Sequence, residues 1–205
     1  MNEHSIIFSE KMVRAILAGN KSQTRRIVEY DLHQTTPSMD KLPCPYGHTG
    51  DFLWVCESWQ AINTNGQWWH EVPDHDSPLW KWIFTNPVEP ASEMKPPYWL
   101  PSIQMPRMAS RILLEITGLR IERLNCVSES DAVAEGCQAM VENGQVVETA
   151  VSEYARFWDS INSDQGYSWQ SNPFVWVISF QRPGGILPPN GIRQPIYIKN
   201  RSDNQ

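Results

Sequence analysis

Ile16-Leu17-Ala18-Gly19-Asn20-Lys21-Ser22-Gln23-Thr24-Arg25-Arg26-Ile27-Val28 is the stretch that decides how this chain folds. Its first half ends a helix. Ser9 is placed to cap that helix, and Met12, Val13, Ile16 and Leu17 recur at helical spacing. Gly19 stops it, because glycine alone adopts a left-handed backbone without strain from a Cβ. The second half, from Asn20 to Val28, reads as a turn running into a strand. Before the helix, Ile6 to Phe8 is a short apolar strand. A strand, a short helix and a second strand therefore open the chain.

Downstream, Pro37, Pro43, Pro45 and Gly47 break the segment from about Glu29 to Thr49 into loop. Gly50-Asp51 forms a turn before the strand Phe52 to Cys56. Residues from about 61 to 106 hold Trp68, Trp69, Trp80, Trp82 and Trp99 among eight prolines and show little periodicity. They read as an irregular insert with one or two short strands, packed on the body by its aromatics. Ser110 to Thr117 alternates as a core strand, with Leu119 to Leu124 continuing or pairing with it. Ser128 and Asp131 resemble a capping box that opens a short helix through Ala134 and Glu135, stopped by Gly136. A helix from about Val151 to Ile161 follows, then Asn172-Pro173 and the clearest strand, Phe174 to Phe180. Interleaved strands and short helices predict an α+β fold, a small β-barrel over residues 1–182, and an extended Pro/Gly-rich arm over 183–205.

Composition narrows what such a fold is for. The 205 residues are 40% hydrophobic and 20% charged, which suits a packed core. The net charge of −6 argues against a general polyanion binder, since that activity needs many Lys and Arg on phosphates. A small nucleoside, or a local basic groove, is still allowed. Ten Trp serve packing first, with stacking on bases as the functional alternative. Met1 to Ile7 lacks a basic flank followed by an apolar run, and no apolar stretch is long enough to cross a membrane. A cytoplasmic protein with reduced thiols is expected. No metal and no cofactor are expected either. Cys44, His48 and Cys56 match no standard ligand spacing, and His70, Asp74, His75 and Asp76 read as a polar loop. Ser-His-Asp order, phosphate-binding glycine loops and HExxH are all missing from the sequence.

Three groups of residues invite chemistry. Lys21 and Thr24 follow the helix-ending glycine, and a desolvated lysine can act as base toward a neighbouring hydroxyl. The plainer reading is an exposed lysine on a turn and a threonine chosen for its strand propensity. Glu135 stands at a helix C-terminus, where the dipole disfavours a carboxylate, and a carboxyl in a cleft could shuttle a proton. Its plainer reading is a solvent-facing acid. Arg25, Arg26, Arg107 and Arg111 form a basic cluster that either grips a phosphate or base edge, or pairs with acids such as Glu57. Strand alternation puts Arg26, not Arg25, on the face of Thr24. Arg26, Glu57, Trp59 and Arg107 are the candidate substrate-binding residues.

The opening stretch resembles the ASCH family of PUA-like proteins, whose helix–Gly–x–Lys–x–x–Thr–x–Arg motif it matches. Gly50-Asp51 and Ser130 to Gly136 resemble that family's Gly-Asp turn and acidic helix. Phage and prophage members look most similar, through Cys44 to Gly47, Gly50 to Trp59, Met105 to Thr117, Trp158 to Asn162 and Asn172 to Val177. Met108 replaces an aromatic of that pattern, and Phe52 and Cys56 stand where basic residues are common. Some small bacterial ASCH proteins are amidohydrolases that deacetylate N4-acetylcytidine. The resemblance therefore implies Thr24 as nucleophile, Lys21 as its base and Glu135 as proton shuttle to the leaving amine. Other members are described as ribonucleases or RNA binders. Three functions stay open: a hydrolase of N4-acylated cytosine nucleosides, a single-stranded RNA-binding module or ribonuclease, and a non-catalytic phage accessory protein that binds a host factor. The implied partners are a modified nucleoside or nucleobase and single-stranded RNA, not a membrane, in the cytoplasm of a bacterial host.

Overall fold

The computed structural model describes residues 1–29, 42–63, 68, 81–84, 96 and 98–183. Most of the Trp/Pro-rich insert, the loop histidines at 33, 70 and 75, and the arm after Pro183 lie outside the described residues.

Strand β1 (Glu3–Ile7) leads through Phe8 into helix α1 (Glu10–Leu17). The Ser9 hydroxyl caps that helix by accepting from the Met12 N–H, and Val13 and Ile16 are its buried face. Gly19 has a φ of +79°, as a helix-ending glycine requires. Strand β2 (Gln23–Ile27) follows, then β3 (Phe52–Cys56). Strands β4 (Trp59–Ile62) and β5 (Lys81–Phe84) pair as a separate antiparallel ribbon, the regular part of the expected insert. Strand β6 (Leu113–Arg123) is one long strand rather than two. A bulge between Ile116 and Gly118 absorbs the irregularity that divided it in the sequence. Helix α2 (Glu129–Ala134), hairpin β7–β8 (Met140–Glu142, Gln145–Glu148), helix α3 (Ala150–Asn162) and strand β9 (Phe174–Gln181) complete the described chain.

Five strands form the main sheet in the order β1-β3-β6-β9-β2, with β1 and β3 parallel and the other pairs antiparallel. The fold is α+β, as its sequence predicts. In a flat sheet of five strands the outer two would lie about 19 Å apart. Here Arg26 on β2 donates from Nη2 to the Ile7 carbonyl on β1 at 2.8 Å. No side chain spans 19 Å, so the sheet is rolled until its ends nearly meet. It is a small barrel with a seam bridged by a guanidinium rather than by a backbone ladder.

Strand β9 shows why the core sits where it does. Its eight residues alternate between two buried faces, so β-branched and aromatic residues occupy both. Trp176, Ile178 and Phe180 face the barrel interior with Ile6, Phe8, Val13, Ile16, Leu53 and Leu114. Val175 and Val177 face outward, where α2 and α3 cover them through Ala132, Tyr154 and Trp158. A third cluster, around Trp59, Ala61 and Met105, fixes the β4–β5 ribbon. Among the described residues no helix is long and apolar enough to cross a membrane.

Candidate functional site

Strand β2 divides two environments. Its register on β9 pairs Thr24 with Ile178 and Arg26 with Trp176, so Thr24 and Arg26 share the barrel interior. Arg25 pairs with Val177 and so faces outward, under α2 and α3. Thr24 Oγ1 accepts a hydrogen bond from Arg26 Nη1 at 2.6 Å, the same-face contact that strand alternation predicts.

Helix α2 brings Glu135 to this strand. Ser128 caps it: its hydroxyl accepts from the Asp131 N–H, and the Asp131 carboxylate accepts from the Ser128 N–H. At the other end Gly136, with φ +95°, turns the chain away. The Ser22 N–H then donates to the Ala134 carbonyl at 2.8 Å, satisfying a carbonyl the helix cannot pair itself. Lys21 Nζ donates to the Glu135 carbonyl at 2.8 Å and to its Oε2 at 2.6 Å, across 114 residues of sequence. The ammonium thus compensates both the helix end and the carboxylate that the dipole alone would disfavour there.

This pair is closed to water. Lys21 is 4% exposed, Glu135 6% and Thr24 0%. Burial holds the Lys21 ammonium below its ordinary pKa, and the neighbouring Glu135 carboxylate restores only part of the loss. The Phe8 ring lies 5.8 Å from Lys21 Nζ and 5.1 Å from the Arg26 guanidinium, so one aromatic wall joins the Lys21 and Thr24 sides of the cluster. Tyr46 adds a side-chain hydrogen bond to Arg26. No hydrogen bond joins Lys21 Nζ to Thr24 Oγ1 among the described residues.

The other candidates stand elsewhere. Glu57 is buried and takes a two-pronged contact from Arg111, Nε to Oε1 and Nη2 to Oε2, each 2.8 Å. The Arg111 guanidinium also lies over the Phe84 ring at 4.1 Å. Trp59 is buried in the third cluster, its ring 5.6 Å from that of Trp82. Arg107 pairs with Glu3 at the surface. The structure therefore joins Lys21 to Glu135 and Thr24 to Arg26, with Phe8 against both cations, and gives Glu57, Trp59 and Arg107 other partners.

Sequence reasoning left Arg25 out of the site, yet its fully buried guanidinium touches Glu135 Oε1 at 3.1 Å and Glu122 Oε1 at 2.7 Å. The one available signal was position: an arginine on the outward face of a strand covered by helices has no solvent and so needs acids. Tyr154 of α3 completes this side, 5.8 Å from Arg25. Burial, then the Glu135 charge, drives the Tyr154 hydroxyl well above its ordinary pKa, so it is a neutral phenol.

No family model matches the chain, and no curated protein matches it. Among solved structures it is similar to protein EF3133 from Enterococcus faecalis V583, described by the family model DUF984, at 12% identity and a TM-score of 0.40 over 89% of this chain and 81% of that one. It is also similar to an ASCH domain from Lactobacillus crispatus JV V101, at 14% identity and a TM-score of 0.39 over 88% and 79%. Likeness at that level says nothing about activity.

Proposed function

We propose that this ASCH-like chain is an amidohydrolase that removes the acyl group from an N4-acylated cytosine base or nucleoside. The observation that carries the proposal is the 2.6 Å contact of Lys21 Nζ with Glu135 Oε2, out of solvent and against the Phe8 ring that also faces Arg26, the partner of the Thr24 hydroxyl. A buried ammonium–carboxylate pair can exchange its proton for the neutral amine–acid form at small cost, because burial already disfavours both charges.

The steps balance on that one proton. With the proton on Glu135, the neutral Lys21 amine takes the Thr24 proton as Oγ1 attacks the acyl carbon. The Arg26 contact at 2.6 Å stabilises the developing charge on that oxygen. As the C–N bond breaks, Glu135 gives its proton to the departing cytosine amine, leaving ammonium and carboxylate. Water then attacks the acyl-threonine, giving its proton to Glu135, while Lys21 returns a proton to Thr24. The pair ends as it began. Thr24 has no exposed surface, so a substrate reaches it only after the wall over it opens.

A second reading is a nucleobase-binding or RNA-binding module without catalysis. One observation favours it: Thr24 Oγ1 is held by Arg26 and not by Lys21. Incubation with N4-acetylcytidine and chromatography of the products separates the two. The hydrolase should release cytidine and acetate, and Lys21→Ala, Thr24→Val and Glu135→Gln should each lose roughly a hundredfold or more in kcat. No release by the wild type, or full activity in Thr24→Val, removes the mechanism. Salt-dependent binding of single-stranded RNA by an inactive protein would instead favour the second reading.

A further inference from the structure

We infer that Arg25 is a positioning residue of this site, dividing the two oxygens of Glu135 so that only one of them is free to carry the relayed proton. The inference rests on the proposed Lys21–Glu135 relay and deepens it.

The geometry keeps Arg25 away from any ligand. Its side chain is fully buried, on the face of β2 opposite Thr24, so it cannot meet a ligand that reaches Thr24. All its reach is spent on neighbours. Nη1 donates to Glu135 Oε1 at 3.1 Å and to Gln23 Oε1 at 2.8 Å. Nε and Nη2 donate to Glu122 Oε1 at 3.2 and 2.7 Å. Nη2 also lies 3.6 Å from Asp131 Oδ2. Asp131 sits in the first turn of α2 and Glu135 caps its last, so one planar fork ties both ends of the helix to β2.

For Glu135 the consequence is an assignment of oxygens. Oε1 faces a cation that cannot give up its proton, and Oε2 faces Lys21, which can. A proton on the carboxyl therefore resides on Oε2, in line with Lys21 Nζ. Without the fork, the carboxyl can turn about its last bond and present either oxygen. The Arg25 charge also opposes protonation of the pair as a whole. Removing it makes protons easier to add, which moves both limbs of a bell-shaped pH–rate curve toward alkaline pH.

The test uses full-length protein. Arg25→Met alone leaves buried acids unbalanced, so it is combined with Glu122→Gln, which removes one charge of each sign. Arg25→Lys, which keeps the charge but cannot fork, is the second variant. With N4-acetylcytidine, the double variant is expected to lose about tenfold or more in kcat with little change in KM, and both pH limbs should rise by a fraction of a unit, because the lost Arg25 charge touches Glu135 directly and the lost Glu122 charge offsets it only from behind Arg25. Arg25→Lys should restore the limbs but only part of kcat. Independently of turnover, the NMR titration of Lys21 Nζ in lysine-labelled protein should move up in the double variant and return in Arg25→Lys. A wild type that releases no cytidine defeats the hydrolase reading but leaves this titration decisive for Arg25. If the pH limbs and the Lys21 titration stay where they are in the wild type, Arg25 only holds α2 in place and the inference fails. If the double variant does not fold, Arg25→Lys alone decides: unchanged kcat in that variant overturns the inference.

Discussion

Asp131 shows how one carboxylate is tied to both the fold and the site. Burial pushes its pKa up, but the Ser128 hydroxyl and N–H, with Arg25 and Arg120, outweigh that and bring it to about 2. A carboxyl depressed in the folded state adds stability that is complete above its unfolded value of 3.8 and lost as pH falls through about 2. Acid unfolding of the wild type should therefore steepen between those limits, and Asp131→Asn should flatten that stretch. The same substitution leaves the capping box a neutral amide oxygen in place of a carboxylate and should cost about 1 kcal/mol near neutral pH, read from urea midpoints. Equal acid sensitivity in the two proteins would show that the contacts of Asp131 carry no such coupling. Lys21 works with the opposite sign of charge. Its folded pKa is depressed, so between that value and 10.5 the unfolded chain binds the extra proton and stability rises with pH. At neutral pH the buried ammonium is a cost to the fold, which the Glu135 contact offsets in part.

At the scale of elements, α2 matters most, because six residues are too few to form a helix unaided. It persists through its contacts: the Ser128 cap, the Arg25 fork, and the Ser22 and Lys21 donors at its C-terminal carbonyls. Glu129 of the same helix reaches on to the start of α3, accepting from the Ala150 N–H at 2.9 Å. Gly136, just past the end of α2, is a tight point. Its φ is +95°, and a Cβ there would stand 3.0 Å from the Ala15 Cβ and 3.5 Å from the Lys21 Cβ. Gly19 also has positive φ, +79°, but a Cβ there would meet nothing within 4 Å. Gly19→Ala should thus cost only its backbone strain, about 1 kcal/mol, and Gly136→Ala about 2 kcal/mol or more, with loss of the Lys21–Glu135 contact. Denaturant midpoints of the two variants compare them directly. A Gly136→Ala protein as stable as Gly19→Ala would mean that α1 and α2 can separate freely.

The whole molecule can be probed through its thiols. Cys126 is exposed, Cys44 half-buried, and Cys56 and Cys137 buried. Burial raises the thiol pKa of Cys44, Cys56 and Cys137, the last to about 11 with help from the Glu153 charge. Only the thiolate reacts with an aromatic disulfide reagent. At pH 8 the native protein should release about one equivalent quickly, and Cys126→Ser should abolish that phase. Fast reaction of three or four thiols would mean that the described core opens readily. The charges of the molecule point the same way as its composition. Among the described residues Arg25, Arg107, Arg111 and Arg120 each engage a carboxylate and so are not ready for a phosphate chain.

The α+β class, the strand from Phe174, the capped helices and the alternation of Thr24 with Arg26 were all legible in the sequence. Each depends on contacts within a few residues: helical or strand periodicity, a side chain reaching its own helix end, or a glycine at a turn. The family resemblance could likewise pair Lys21 with Glu135, but it could not say how they meet. Three things waited for tertiary structure. The roll of the sheet depends on Arg26 reaching Ile7 across the seam. The burial that depresses Lys21 arises only when α2 closes over β2. The meeting of Arg25 with Glu135 brings together residues 110 positions apart. Local spacing determines which face a side chain takes. What covers that face is decided by packing between distant elements, and here that cover takes an ordinary lysine, threonine and glutamate out of water.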